Sequence, residues 1–274
     1  MDQGKNENKN QEIKTGNTIP DGGWYNDFYT AVGKSKAYSN YCEKVFGMDL
    51  SQQGFSDLQQ VNFMLDILKI RNMDRILDVG CGNGKLIEYI SDSTDATGYG
   101  FDISSVAISS ACQRTADKSK KLIFEEGIIG EKQYKAESFD AIISIDTMYF
   151  SDSMAKTIAD FYRWLKPFGK IAIMYSEFRF NENEPLDKMS QEGNALAKAL
   201  KKINLKYDVY DLTSNHYEHM KLKNKVITEM EGEFKKEGNL MLYENAKTES
   251  IENSVIIEDF KKNSVRYLYI VKKR

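Results

Sequence analysis

Three glycines at alternate positions, preceded by a carboxylate, are the residues of this sequence whose spacing points most directly to chemistry. They are Gly80, Gly82 and Gly84, and Asp78 stands two residues before the first. Glycine permits backbone conformations that side chains forbid and lets a ligand approach the main chain closely. A carboxylate at this position would repel a pyrophosphate and would suit a ligand that carries positive charge. The stretch therefore predicts a site for a cationic ligand.

A second acid supports this interpretation. Asp102 ends the apolar stretch 96–103, about 24 residues beyond Asp78, and an acid at the end of a second strand can accept two hydrogen bonds from a ribose diol. The dinucleotide-binding fingerprint would need its third glycine at the position of Lys85, whereas this chain has Gly84. The two acids and the glycines together favour a nucleoside with a positive charge over a dinucleotide.

Strands and helices must alternate to position these residues. Apolar runs predict strands at 76–79, 96–103, 122–124, 139–145 and 170–175, with helices between them. The run 139–145 is almost continuously apolar, which suits a central parallel strand buried on both faces. The helix from about 152 to 165 stops at Pro167 and Gly169. Because ligands bind outside the carboxyl ends of such strands, Asp146 and Tyr149 are expected beside the reacting group.

The stretches D-V-G-C-G-N-G-K and G-F-D-I-S resemble those of class I S-adenosylmethionine-dependent methyltransferases, and the likeness covers roughly residues 56–212 and the final strand. It implies an α/β, Rossmann-like, doubly wound sheet of seven strands, mostly parallel, with an antiparallel last strand and a helical cap. It also implies S-adenosyl-L-methionine as cofactor and S-adenosyl-L-homocysteine as product. The cofactor-binding residues that it implies are Asp78, Gly80, Cys81, Gly82, Asn83, Gly84, Asp102, Ile103, Gly127, Ile128, Ile145 and Asp146.

The sequence departs from the family pattern at the adenine site. Ile128 follows Gly127 where the family commonly has an acid that binds the adenine amino group. Either a main-chain group or Glu126 takes that role. Phe168 likewise replaces the first glycine of the family's L-K-P-G-G turn.

Composition and periodicity divide the chain into five parts. Residues 1–20 predict a polar disordered tail, 21–55 an N-terminal helical cap, and 56–212 the cofactor-binding core, with Ser56 as N-cap of its first helix. Residues 213–263 predict a helical insertion before the last strand, 264–274. The insertion is interpreted as a lid over the substrate, with a solvated appendage or a dimer surface as the alternatives.

Candidate acceptor-site residues come from the two helical regions. Tyr25, Tyr29, Tyr38 and Tyr41 recur at helical spacing, so they line either a substrate pocket or a core. In the insertion, His216 is a candidate general base and substrate-binding residue. The remaining catalytic candidates are His219 and Asp146 as bases and Tyr149 as a catalytic, positioning and substrate-binding group. The histidines are three residues apart, so the zinc-protease pattern is not met and no metal is expected.

Charge and hydropathy limit the partners. The formal net charge of the 274 residues is −3, without the basic excess of a nucleic-acid binder. No apolar run approaches 18 residues, so no membrane partner is expected. Three cysteines without metal-like spacing and an N-terminus without an apolar signal segment favour a cytoplasmic protein.

These observations predict a methyltransferase that acts on the N or O atom of a small molecule by in-line displacement. The sequence 146–149 is Asp-Thr-Met-Tyr, which differs from the Asn/Asp-Pro-Pro-Tyr/Phe motif of amino-directed DNA enzymes. A protein methyltransferase and a non-catalytic cofactor-binding regulator are the alternatives. The sequence leaves the oligomeric state open.

Overall fold

The computed structural model describes residues 22–51 and 53–274, and its centre is a seven-stranded sheet in the order β3-β2-β1-β4-β5-β7-β6. The strands are β1 Arg75–Val79, β2 Thr97–Asp102, β3 Leu122–Glu126, β4 Phe139–Ile145, β5 Leu165–Phe178, β6 Tyr207–Asp211 and β7 Ser264–Lys272. Strands β1 to β5 pair in parallel, and β7 runs antiparallel to both β5 and β6. The predicted fold class is confirmed.

Helices cover both faces of this sheet. They are α1 Gly23–Val32, α2 Lys36–Phe46, α3 Leu58–Leu68, α4 Lys85–Thr94, α5 Ser105–Arg114, α6 Met154–Trp164, α7 Ala195–Lys202, α8 Thr213–Glu229, α9 Glu231–Glu237, α10 Leu240–Thr248 and α11 Ile257–Asn263. Ile142 of β4 packs in the cluster of α6 and α7, while its neighbour Ile143 packs in the cluster of α3 and α4. Because successive strand residues face opposite ways, the continuous apolar run of β4 is buried on both sides.

The N-terminal helices and the insertion form one helical layer. Phe28 of α1 and Tyr41 of α2 share a hydrophobic cluster with Ile227 of α8, Phe234 of α9 and Leu242 of α10. The segments interpreted from the sequence as a cap and a separate insertion therefore bury their apolar faces against each other. We call this group, α1, α2 and α8 to α10, the helical layer.

Two local expectations, the N-cap of α3 and the start of β5, are wrong. The N-cap of α3 is Asp57, whose side chain accepts the N–H of Gln60, and Ser56 is not the cap. Strand β5 begins directly after α6, five residues earlier than predicted, although α6 does end before Pro167 as expected. The predicted tail 1–20 lies outside the described residues.

Candidate functional site

The glycine turn, residues 80–84, joins the end of β1 to the start of α4. Gly80, Gly82 and Gly84 all have φ between +54° and +74°, the left-handed region in which side chains are strained. A methyl group on Gly82 would collide with the hydroxyl of Tyr29, which reaches over the turn from α1. The turn therefore requires glycine both for its backbone angles and for the close approach of Tyr29.

Asp102, at the end of β2, holds the glycine turn in place. Its Oδ2 accepts the N–H of Gly82 at 2.8 Å, and its Oδ1 accepts the N–H of Ser104 at 2.9 Å. The N–H groups of Gly80 and Cys81 both donate to the carbonyl oxygen of Phe101. A carboxylate anchored in this way can still accept hydrogen bonds from the vicinal hydroxyls of a ribose.

Two buried carboxyl groups, Asp78 and Asp102, give the glycine turn a negative electrostatic potential when they are ionised. Burial, with a smaller contribution from the nearby Asp102 carboxyl, raises the pKa of Asp78 to about 7. Burial also raises the pKa of Asp102, although N–H donors from Ser104, Gly82 and Ile103 oppose that rise. A positively charged ligand would favour the ionised form of both groups. The site thus suits a ligand that combines a cation with hydroxyls.

A cavity of about 430 Å³ lies beyond Asp102 at the ends of β2 and β3. It is lined by Ile103, Glu126, Gly127, Ile128, Glu131 and Lys132. The N–H of Gly127 donates to the carbonyl of Asp102 at 3.0 Å, which links the cavity to the glycine turn. Apolar Ile103 and Ile128 suit a flat ring, and Glu126 and Glu131 supply carboxylates although residue 128 is not an acid.

Asp146, just after β4, is held by a fully buried arginine of β7. Arg266 donates from its two terminal nitrogens to Oδ1 at 2.6 Å and Oδ2 at 2.9 Å, and the N–H of Phe55 donates to Oδ2 at 3.1 Å. Arg266 also donates to Gln60 and Ser176. Three N–H donors therefore already engage the two oxygens of Asp146, and its charge is paired with that of Arg266. The structure therefore argues against the expected role of Asp146 as a base.

Tyr149 lies beside this pair. Its hydroxyl accepts the N–H of Ser176 at 2.6 Å and lies 3.5 Å from Asp146 Oδ1. Burial, followed by the charge of Asp146, raises the pKa of Tyr149 well above its usual value. The phenol is neutral and rigid, which fits a positioning role better than proton transfer.

Tyr25, Phe150 and Tyr149 form a row of aromatic rings, which we call the aromatic wall. The Tyr25 and Phe150 centroids are 5.9 Å apart and those of Phe150 and Tyr149 are 6.4 Å apart, both edge to face. Burial, followed by the charge of nearby Asp102, raises the pKa of Tyr25. The wall therefore runs from the predicted ribose site to the end of β4, where an acceptor would lie.

The other candidate tyrosines have different roles. Tyr29 faces the glycine turn, with its hydroxyl against Gly82, so its predicted contact with the substrate stays a prediction. Tyr38 and Tyr41 are at most 2% exposed and pack inside the helical layer. Helical spacing alone could not separate these positions, because a core stripe and a pocket stripe have the same period.

The two histidines do not form an accessible base. His216 is completely buried between the rings of Phe55 and Phe260, and its Nε2 lies 3.4 Å from Ser264 Oγ. Burial and then the charge of Arg266 lower its pKa well below the usual value. His219 is buried in the same helix with a similarly lowered pKa. Both residues contribute to packing, which corrects the expected catalytic and substrate-binding role of His216.

Sequence reasoning missed Arg266 and Phe150. An arginine inside the apolar run 265–271 was a usable signal, because a charge in a buried strand needs a partner. Phe150 gave no signal of its own, since its contact with Tyr25 joins distant parts of the chain.

Residues 22–51 and 53–274 contain neither a metal-binding cluster nor a membrane-spanning helix. That part of the chain holds no group of three or more His, Cys, Asp or Glu arranged to bind a metal ion. None of its helices is long and apolar enough to cross a bilayer.

Known proteins resemble this chain most clearly in its core. Residues 70–203 match the family model described as a methyltransferase domain. Phosphoethanolamine N-methyltransferase 1 of Triticum aestivum is 33% identical over 132 residues, which cover 48% of this chain and 26% of the relative. The 27-O-demethylrifamycin SV methyltransferase of Amycolatopsis mediterranei is 29% identical over 154 residues, which cover 52% and 57%.

A solved structure extends the likeness to the fold of nearly the whole chain. Haemonchus contortus phosphoethanolamine N-methyltransferase 2, in complex with phosphomonomethylethanolamine and S-adenosylhomocysteine, superposes with a TM-score of 0.69 at 17% identity. The superposition covers 91% of this chain and 60% of that one. The chain spans only about a quarter of the length of the wheat relative.

Proposed function

We propose, because residues 70–203 belong to the methyltransferase domain family, that this protein transfers the methyl group of S-adenosylmethionine to the N or O atom of a small molecule. The observation that carries the proposal is the pair of buried acids, Asp78 and Asp102, on either side of the glycine turn. Their negative charge complements the ammonium and sulfonium groups of this cofactor. Relatives named for methyl transfer to phosphoethanolamine nitrogen and to a rifamycin oxygen support a small acceptor.

In this proposal, each part of the cofactor is bound by a different group of residues at the carboxyl ends of the strands. Asp78 faces the amino group, the glycine turn receives the methionine portion, and Asp102 binds the ribose hydroxyls. Ile103 and Ile128 enclose the adenine, with Glu126 or Glu131 as the acceptor for its amino group. Bound there, S-adenosylmethionine supplies an activated methyl group.

The acceptor lies on the aromatic wall in this proposal, between Tyr25 and Tyr149. Holding a nucleophile in line with the methyl group supplies most of the acceleration in such a displacement, because the sulfonium is already a good leaving group. The Asp146–Arg266 pair fixes the end of β4 and orients Tyr149. The helical layer excludes water from the reacting atoms. A cytoplasmic location agrees with this role and stays a prediction.

Calorimetric titration with S-adenosylmethionine and S-adenosylhomocysteine tests the proposal. We expect micromolar binding, and we expect Asp102→Ala to weaken it at least about tenfold, because a ribose diol would lose both acceptor oxygens. Asp117→Ala, an exposed acid in the turn after α5, is the matched control and should bind normally. Unchanged affinity of Asp102→Ala would remove Asp102 from the site, and absence of binding to folded protein would overturn the function.

Acceptor screening then separates the alternatives. Transfer to small amines or hydroxyl compounds supports the proposal, whereas transfer only to protein would move the acceptor to an open groove. Cofactor binding without any turnover would favour a regulatory protein.

A further inference from the structure

Two large apolar side chains protrude at the edge of the sheet opposite the glycine turn. Met73 is 82% exposed and Phe168 is 84% exposed. Met73 has φ +69° and Phe168 has φ +67°, a region in which glycine is favoured and bulky residues are strained. Such residues contribute little to packing here, so their exposure in a strained backbone indicates a contact surface.

The two side chains belong to one continuous surface. The N–H of Arg75, next to the Met73 loop, and the ammonium of Lys166, next to Phe168, both donate to Asp140 Oδ2, at 2.8 and 2.7 Å. Lys170 reaches across to the carbonyl oxygens of residues 67 and 68 at the end of α3. We call this surface, residues 69–74, 166–170 and 272–274, the basal face.

The C-terminal residues complete the basal face. The N–H of Phe168 donates to the carbonyl of Lys273 at 3.1 Å, and the N–H of Lys273 donates to the carbonyl of Gly169 at 3.0 Å. These bonds hold the last residues beside Phe168.

The basal face is positively charged although the whole chain is not. Its cationic side chains are Lys69, Arg71, Lys166, Lys170, Lys272, Lys273 and Arg274. Among the described residues, the carboxylates within ion-pair distance of them are Asp74, Glu137, Asp140 and Asp208. Partial burial, and then the charges of Lys272, Lys69 and Arg71, lower the pKa of Lys170. The face thus carries a net positive field around two apolar tips.

We propose that the basal face docks on the surface of an anionic lipid bilayer, with Met73 and Phe168 entering the headgroup region and the lysines and arginines facing the lipid phosphates. Two exposed apolar side chains with cations beside them suit a fluid lipid surface, because each side chain can enter it independently. Stable peripheral binding needs both an apolar and an electrostatic contribution, and this face offers both. Such docking needs no spanning helix. It revises the expectation that the protein has no membrane partner.

Sedimentation with vesicles tests this docking on the full chain. We expect binding to vesicles that contain about 30% phosphatidylserine in phosphatidylcholine and none to pure phosphatidylcholine. The double variant Met73→Gly/Phe168→Gly should bind about tenfold more weakly, because it removes most of the inserting apolar surface. Glycine suits both backbone angles, so this variant should fold at least as well as the parent.

Phe180→Ala is the matched control, since Phe180 is also exposed, at 55%, but follows β5 at the opposite edge of the sheet. It should bind vesicles like the parent. Lys69→Glu/Arg71→Glu should also weaken binding, and added salt should do the same. Cofactor titration of each variant, expected to be unchanged, separates this inference from the proposed function.

Several outcomes would overturn lipid docking. These are no sedimentation with anionic vesicles at low salt, equal binding by the double glycine variant, and binding that does not depend on anionic lipid. If analytical ultracentrifugation instead finds a dimer that the double glycine variant dissociates, the basal face is an interface between copies.

Discussion

Asp78 and Asp102 are buried carboxyl groups at one turn, yet they differ in how the fold compensates their charge. Asp102 accepts N–H donors from Gly82 and Ser104, which stabilise its ionised form. For Asp78, burial and the nearby Asp102 carboxyl raise the pKa to about 7. Asp78 is therefore partly protonated near neutral pH, and a bound cationic ligand would favour its negatively charged form. A group of this kind couples binding to pH.

We predict that affinity for S-adenosylmethionine rises with pH up to about 7 and then levels off. Below the raised pKa, a cation must displace the proton of Asp78, which costs up to about tenfold in affinity for each pH unit. Calorimetry between about pH 5.5 and 8, in buffers of different ionisation enthalpy, would measure both the affinity and the released proton. Asp78→Asn should bind weakly and without this dependence. A flat profile for the parent would contradict the role of Asp78.

At the scale of elements, α8 is connected to the core through the segment before α3. Lys223 of α8 is fully buried and donates to the carbonyl of Gly54 at 3.0 Å and to Glu249 at 2.9 Å. The next N–H in this segment, that of Phe55, donates to Asp146. One hydrogen-bonded path therefore runs from the helical layer to the end of β4. This path links residues 213–263 to the end of β4, and their role as a lid stays a prediction.

Lys223→Met should loosen this connection and leave the glycine turn intact. The variant keeps the apolar stem but leaves the Glu249 carboxylate without its ammonium. Because the Glu249 side chain is 18% exposed, the loss should be smaller than the ~3–5 kcal/mol of a fully buried pair. We expect a lower melting temperature, faster hydrogen exchange in residues 53–56 and reduced turnover, with cofactor affinity within about threefold. Lys225→Met, an exposed change on the same helix, is the control. Normal turnover by Lys223→Met would make the insertion a structural appendage.

Local patterns predicted the fold and the cofactor side of the site, because the glycine turn and the strand-end acids are contained within short stretches. Asp146 and Arg266 are 120 residues apart, so no local pattern could show that Arg266 occupies the carboxylate that was expected to act as a base. The same limit applies to Tyr38 and His216. Each lies in a stretch with helical spacing, which does not show which face is buried. Tyr38 is buried where α2 packs on the insertion, and His216 is buried against the rings of Phe55 and Phe260.

At the scale of the whole molecule, the sheet separates two surfaces. The strand ends on one edge hold the glycine turn, Asp102 and the aromatic wall, while the opposite edge carries the basal face. The helical layer covers the first edge, and its buried groups include both histidines of the chain. The stability of the folded state therefore depends on those histidines staying neutral.

We predict that the protein loses stability as the pH falls below about 6.5. The folded state lowers the pKa of His219, so its stability is complete above the unfolded value of about 6.5 and declines below it, by up to about 1.4 kcal/mol per pH unit for each histidine. The groups that face His219 are Lys223, Arg266 and Asp57, whose Oδ2 is 3.9 Å from Nδ1. Asp57 is too distant for a hydrogen bond, and the two cations oppose protonation.

Thermal unfolding of His219→Leu between about pH 5 and 8 measures this effect. Neither ring nitrogen of His219 has a hydrogen-bond partner among the described residues, so leucine should cost little at pH 8. Between pH 8 and pH 5, we expect the melting temperature of the variant to fall less than that of the parent. The variant has lost one of the two buried histidines whose protonation opposes folding. His216→Leu should behave similarly but cost more at pH 8, since it removes the contact with Ser264. Equal acid sensitivity of the parent and both variants would assign the loss of stability to carboxyl groups instead.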